Sequence, residues 1–198
     1  MFNEHLNWLE HITSLVNKCT RFCSIFGKQR ALIPLTGRKL LYHAFINSII
    51  SYCIIIYGNS CLSHLKSLHL ACNRVLRILQ FASRDTNTSA LYTNFKILPV
   101  HLLYKFELGK FLFKVFNCSD LVPEVIVNIF CNSVYTHNLN TRAASSTILY
   151  CINSSADFRS YRYVAFDLWN HIPVAIRNSP NLFRFNLLYK NFLTNHQS

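Results

Sequence analysis

The chain has 198 residues, of which 51% are hydrophobic, with 20 Lys and Arg against 8 Asp and Glu and a formal charge of +12. Its length fits one domain or one domain with an appendage, and 16 Phe against 4 Gly and 5 Pro exclude a disordered or low-complexity chain. A balance this basic points to a polyanionic partner, nucleic acid ahead of an anionic membrane surface.

The N-terminus MFNEHLNWLEHI is polar and acidic, where a secretory signal would be basic and then apolar. The eight cysteines therefore read as free thiols in a reducing, intracellular compartment, nuclear or cytoplasmic. Cys53, Cys72, Cys118 and Cys151 stand among apolar neighbours, where a thiol behaves as a small hydrophobe.

Leu6, Leu9, Ile12, Val16, Cys19, Cys23 and Phe26 recur at helical spacing and predict a first helix ending near Gly27. Pro34 and Thr36 open a second, with Thr36 as the expected N-cap. Its body, Leu40 to Gly58, is apolar nearly all round, the pattern of a central core helix or of a membrane span. Polar Tyr42, His43, Asn47, Ser48 and Ser51 in its first half favour the core helix. After Gly58-Asn59-Ser60, a third helix is expected from Ser60 or Ser63, with Leu62, Leu65, His69, Cys72, Leu76 and Leu79 as its packing seam.

From His11 to Arg84 there is no acid at all, while Lys18, Arg21, Lys28, Arg30, Arg38, Lys39, Lys66, Arg74, Arg77 and Arg84 fall in the same stretch. A one-signed stretch repels itself unless a polyanion offsets it, so these cations, Arg84 apart, are the candidate nucleic-acid contacts of this part.

The polar segment Phe81 to Thr88 is the expected boundary, giving a compact three-helix unit over 1–84 and a second region over 85–198. In the second region Pro99 introduces a helix whose core face is Leu102, Leu103, Phe106, Phe113 and Phe116, with Lys105, Lys110 and Lys114 on its wet face. Pro123 starts a short helix through Phe130, and Thr147 to Ile152 has the composition of a short strand. Arg142, Arg159 and Arg162 lie among Tyr150, Phe158, Tyr161 and Tyr163, a pattern able to grip phosphates and stack on bases. Ser179-Pro180 is the expected N-cap and first position of a closing helix with Leu182, Phe185, Leu188 and Phe192. The fold class is thus mainly α, with one short extended segment.

No Gly-rich phosphate loop, nucleophile elbow or converging carboxylate set occurs, so no catalytic residue is assigned. Cys19 with Cys23, and Cys131 with His137, lack the spacing of zinc modules, and no metal ligand or cofactor is assigned either.

Several motifs, taken in order, carry a resemblance. Asn7-Trp8 with Glu10-His11-Ile12 is followed by Lys18 and Arg21, then by the apolar run closing on Ile56-Tyr57-Gly58-Asn59. Leu65, Leu68, Asn73, Arg74, Arg77 and Ile78 follow, then Ile97-Leu98-Pro99-Val100, Asn140-Thr141-Arg142 and Leu168-Trp169-Asn170-His171-Ile172-Pro173 with Ile176, Arg177, Ser179, Leu182 and Phe183. The series resembles the region after the palm in jockey-like, LINE-type (non-LTR) retrotransposon reverse transcriptases. Ala165 and Phe166 stand where that family commonly has Gly-Pro.

The resemblance implies that the part up to Arg84 corresponds to the polymerase thumb, which holds an RNA or DNA template-primer, and that the rest is the post-thumb region. It also implies that the Tyr-X-Asp-Asp carboxylates and the Mg²⁺ they hold belong to a palm preceding the first residue. This fragment of an RNA-directed DNA polymerase would therefore not be an enzyme by itself, nor take a small-molecule substrate, and a palm-containing chain is an implied partner. Two alternatives come from other classes: a small membrane protein spanning at Leu40 to Tyr57, with Arg38 and Lys39 on the cytoplasmic side, and an unrelated basic helical interaction domain.

Overall fold

A computed structural model describes residues 8–131 and 161–195. Among the described residues every regular element is helical and there is no strand; the expected extended segment Thr147–Ile152 lies outside them. The chain divides into two compact units, Met1–Tyr104 and Lys105–Ser198.

The first unit opens with α1, Leu9–Gln29, which buries Ile12, Leu15, Cys19, Cys23 and Phe26 along one stripe. Leu15 takes the place expected of Val16, and Leu9 is left exposed. Gly27 does not end the helix, which continues to Gln29 and tightens into a 3₁₀ turn, Arg30–Leu32. Glycine costs a helix interior only about 1 kcal/mol, too little to stop one that packing holds in place.

The apolar run is not a single core helix. It comprises α2 (Leu35–Leu41), a π turn (Tyr42–Asn47), α3 (Ser48–Ser51) and α4 (Ile54–Tyr57), with Tyr52 extended and Cys53 left-handed at φ 56° between the last two. Pro34, not Thr36, occupies the N-cap position of α2. Only one side is covered: Tyr42, Ile46, Ile50, Ile54 and Tyr57 are buried, while Leu40, Phe45, Tyr52 and Ile56 are exposed. A spacing of four drifts about 40° per step around an ideal helix, so such a stripe would soon leave the core. The wider π turn and the break at Tyr52–Cys53 absorb that drift. Ser48 and Ser51 donate to the carbonyls of Ala44 and Asn47, a local bonding that competes with a straight ladder. The Tyr57 hydroxyl donates to the Ile50 carbonyl, one of the acceptors left without a helical partner by the break.

Next comes α5, Leu62–Gln80, burying Leu68, Cys72, Asn73, Val75, Leu76 and Leu79. Leu62, expected in its seam, is 83% exposed at the first position of the helix. The directions of these helices follow from their contacts. His11 meets Tyr57 with ring centroids 5.1 Å apart and Phe22 meets Phe45 at 5.2 Å, so the broken segment runs back along α1. Cys19 and Cys72 are neighbours in the buried seam, and Arg30 reaches the Ile78 carbonyl, so α5 runs alongside α1 in the same direction.

The first unit also holds α6, Thr88–Phe95, and the opening turn of α7, Val100–Asn117. Asn87 caps α6 by accepting from the Ser89 amide at 3.0 Å. Inside the unit the Tyr92 hydroxyl donates to Asn73 Oδ1 at 2.7 Å, satisfying the buried amide oxygen of α5. Gly58 lies in ordinary helical backbone, yet a Cβ there would run into the Tyr104 ring and the Ile54 carbonyl; close approach, not conformation, requires it.

The second unit is built on the rest of α7 with α8 (Glu124–Cys131), α9 (Tyr161–His171), α10 (Val174–Arg177) and α11 (Leu182–Asn195). Its core is aromatic: Phe113 stacks on Phe185 at 4.5 Å, Phe185 meets Tyr189 at 5.3 Å and Phe116 meets Trp169 at 5.2 Å. Pro123 precedes α8 as its helix-start signal suggests. The cap of α11 is Asn181, whose Oδ1 accepts from the Arg184 amide at 2.8 Å; the expected Ser179 instead donates to the Ile176 carbonyl.

Candidate nucleic-acid interface

Helical geometry sorts the cations of the first unit. Around α1, Lys18, Arg21 and Lys28 fall within an arc of about 80° facing away from the buried stripe, and all three are exposed. Around α5, Lys66, Arg74 and Arg77 fall within a similar arc of about 80° away from its seam. Lys66 and Arg74 are exposed, and Arg77 is half-buried. Each of the two long helices thus carries its charge as one outward stripe. None of Lys18, Arg21, Lys28, Lys66 and Arg74 has an ion-pair partner among the described residues.

The flanks of the α5 stripe are marked by the groups its charges reach. The positive charge of Arg74 pulls the Cys23 thiol down on the α1 side, although burial dominates and holds that thiol above its ordinary value. Arg77 pulls on the Tyr92 hydroxyl on the α6 side, where burial again dominates and raises it. On α1, His11 is held below its usual value, first by burial and then by the charge of Lys18.

Arg30 and Arg38 take a different role, one that spacing in the sequence does not announce. The last carbonyls of a helix lack partners within it. Arg30 Nη1 donates to the Ile78 carbonyl at 3.1 Å, and Arg38 Nη1 donates to the Leu79 carbonyl at 2.5 Å. Both guanidiniums lie over the Phe81 ring, 4.5 and 4.8 Å from its centroid. Phe81 itself ends α5 in the left-handed conformation, φ 55°. Positive charge at a helix C-terminus and over an aromatic face is favourable on both counts. Lys39 is half-buried on α2. Arg162 is exposed on α9 in the second unit, and Arg142 and Arg159 lie outside the described residues.

Cys19, Cys23 and Cys72 are buried in the α1–α5 seam, and among the described residues no group of three metal ligands comes together. No helix among the described residues is long and apolar enough to cross a membrane, because the run that suggested a span is interrupted. Set against protein-family models, curated proteins and solved structures, the chain matches none.

Proposed function

We propose that this chain binds nucleic acid through the outward cations of α1 and α5, as the thumb and post-thumb part of a non-LTR reverse transcriptase. The observation that carries this reading is the pair of outward stripes, exposed Lys18–Arg21–Lys28 and exposed Lys66 and Arg74 with half-buried Arg77, in a stretch without a single acid from His11 to Arg84. Charges arranged in this way neutralise phosphates without reading bases, so they suit a duplex held by its backbone. The ordered motif series supports the family assignment, which implies an RNA or DNA template-primer as the ligand. The polymerase carboxylates and their Mg²⁺ would then come from a palm, and this chain contributes grip, not chemistry.

Fluorescence anisotropy with a labelled duplex, titrated across salt, tests the reading. Log affinity is expected to fall linearly with log salt, with a slope near the number of phosphates neutralised. Changing Lys18 and Arg21 to Ala is expected to weaken every duplex alike and to flatten the slope by about two. A salt-independent affinity, or none at all, would refute it.

A further inference from the structure

The broken apolar run carries a second stripe besides its buried one. Leu40, Ala44, Ser48 and Tyr52 recur by four, and all are exposed. They stand two residues from Tyr42, Ile46 and Ile50 of the buried stripe, and two residues turn a helix by about 200°. The second stripe therefore faces away from the core. The π turn that keeps the buried residues in line keeps this outer row in line as well.

The water-facing side of a helix ordinarily carries its charged residues. Here, from Leu40 to Leu65, there is no Asp, Glu, Lys or Arg, in a chain of formal charge +12. With Leu32, Leu35 and Phe45 beside it, the outer row exposes surface on the order of 800 Å², the share each partner brings to an interface of standard size. A phosphate backbone would find no cation on this row to neutralise it.

We infer that this side is the interface of a two-fold dimer, covered by a second copy of the same chain. The order of sizes along the row selects that occupant: large, small, small, large, symmetrical about the point between Ala44 and Ser48. In a two-fold interface, residue i of one copy meets j of the other and j meets i. An antiparallel pairing with its axis at that point sets Leu40 against Tyr52 and Ala44 against Ser48, each twice. The small pair lets the two backbones close at the axis. Leu40 and Tyr52, 69% and 71% exposed, fill the space on either side. No charged residue of the row is buried when the two copies meet, so the pairing carries no desolvation penalty of that kind.

Sedimentation velocity on the full chain at one fixed salt concentration tests this, with a monomer–dimer equilibrium expected. Leu40→Glu and Tyr52→Lys each set a charge against an apolar partner and are expected to weaken pairing about tenfold or more. The double variant tests the register. The two-fold pairing places each introduced carboxylate against the other copy's introduced ammonium, so the double variant is expected to pair at least as tightly as either single one. Without that juxtaposition the two losses add. Within one chain the two positions are twelve residues apart, about 18 Å along a helix, too far to pair with each other. Leu40→Glu with Tyr52→Glu, carrying one sign only, is expected to show no such recovery. Both positions are exposed, and circular dichroism of each variant confirms that it is folded. A chain monomeric at every concentration, one that grows past the dimer, or a double variant whose losses add overturns the inference. A monomer that instead floats with phosphatidylcholine vesicles overturns it too and makes lipid the occupant. The nucleic-acid reading stands apart from all these outcomes, because its cations lie on α1 and α5.

Discussion

Gly109 sits in the middle of α7, where helix propensity alone would prefer Ala by about 1 kcal/mol. The Tyr189 ring occupies the space a Cβ would need, well inside van der Waals contact, and the Tyr189 hydroxyl donates to the Lys105 carbonyl at 3.2 Å. Tyr189 is fully buried between Phe106 and Phe185, so it has little room to withdraw. Overpacking a filled core costs about 1–3 kcal/mol, which outweighs the propensity gain. Gly109→Ala is therefore expected to lower the melting temperature in a thermal denaturation followed by circular dichroism. A rise would mean that the Tyr189 ring is free to move. A bare sequence reading weighs this glycine only as a weakness in its helix, because the reason for it lies 80 residues away, at Tyr189.

At the scale of elements, the end of α5 shows how charge can be spent inside a fold. Arg30, Arg38 and Phe81 together finish that helix, so Arg30→Ala and Arg38→Ala are each expected to cost about 1 kcal/mol of stability, from a lost carbonyl bond and a lost ring contact. Lys18→Ala and Arg21→Ala, on the open stripe of α1, are expected to leave stability within about 0.5 kcal/mol. Chemical denaturation of the four variants checks this, and equal losses in both pairs would erase the distinction between capping and outward cations. The helices themselves were legible where apolar residues recur by threes and fours: Cys72, Leu76 and Leu79 on α5, or Cys19, Cys23 and Phe26 on α1, are buried as their spacing implies. The interruption of the apolar run was not, since it contains neither Pro nor an internal Gly, and only the demand that Tyr42, Ile46, Ile50, Ile54 and Tyr57 share one side makes the π turn and the left-handed Cys53 necessary. The candidate interface was legible as a composition, an acid-free stretch. Its division into outward stripes and helix-end ligands depends on which cations the folded chain brings to the Ile78 and Leu79 carbonyls, and no local pattern encodes that.

For the molecule as a whole, two ionic variables pull in definable directions. His11 and His69 are both held below 6.5 by burial, with Lys18 adding to the effect at His11. The unfolded chain therefore binds protons that the folded chain refuses. Stability is fully present above pH 6.5 and is lost as pH falls through that value toward the lowered folded ones. A melting series from pH 8 to 5 should show this loss, and His69→Gln should flatten it; a melting temperature that holds steady over the range would contradict the assignment. Salt acts on association. Leu32, Leu35 and Leu40 are 83%, 58% and 69% exposed around the start of α2, and Phe45 and Ile56 continue the uncovered side of the apolar run. Apolar surface of this kind drives self-association, while a charge of +12 opposes it by mutual repulsion. Screening removes the repulsion and leaves the apolar attraction untouched. Sedimentation velocity on the free chain should therefore show association that strengthens as salt rises, the reverse of the trend expected for nucleic-acid binding, and Leu35→Ser with Leu40→Ser should weaken it. A chain that stays monomeric at high salt and high concentration would show that this side needs no cover.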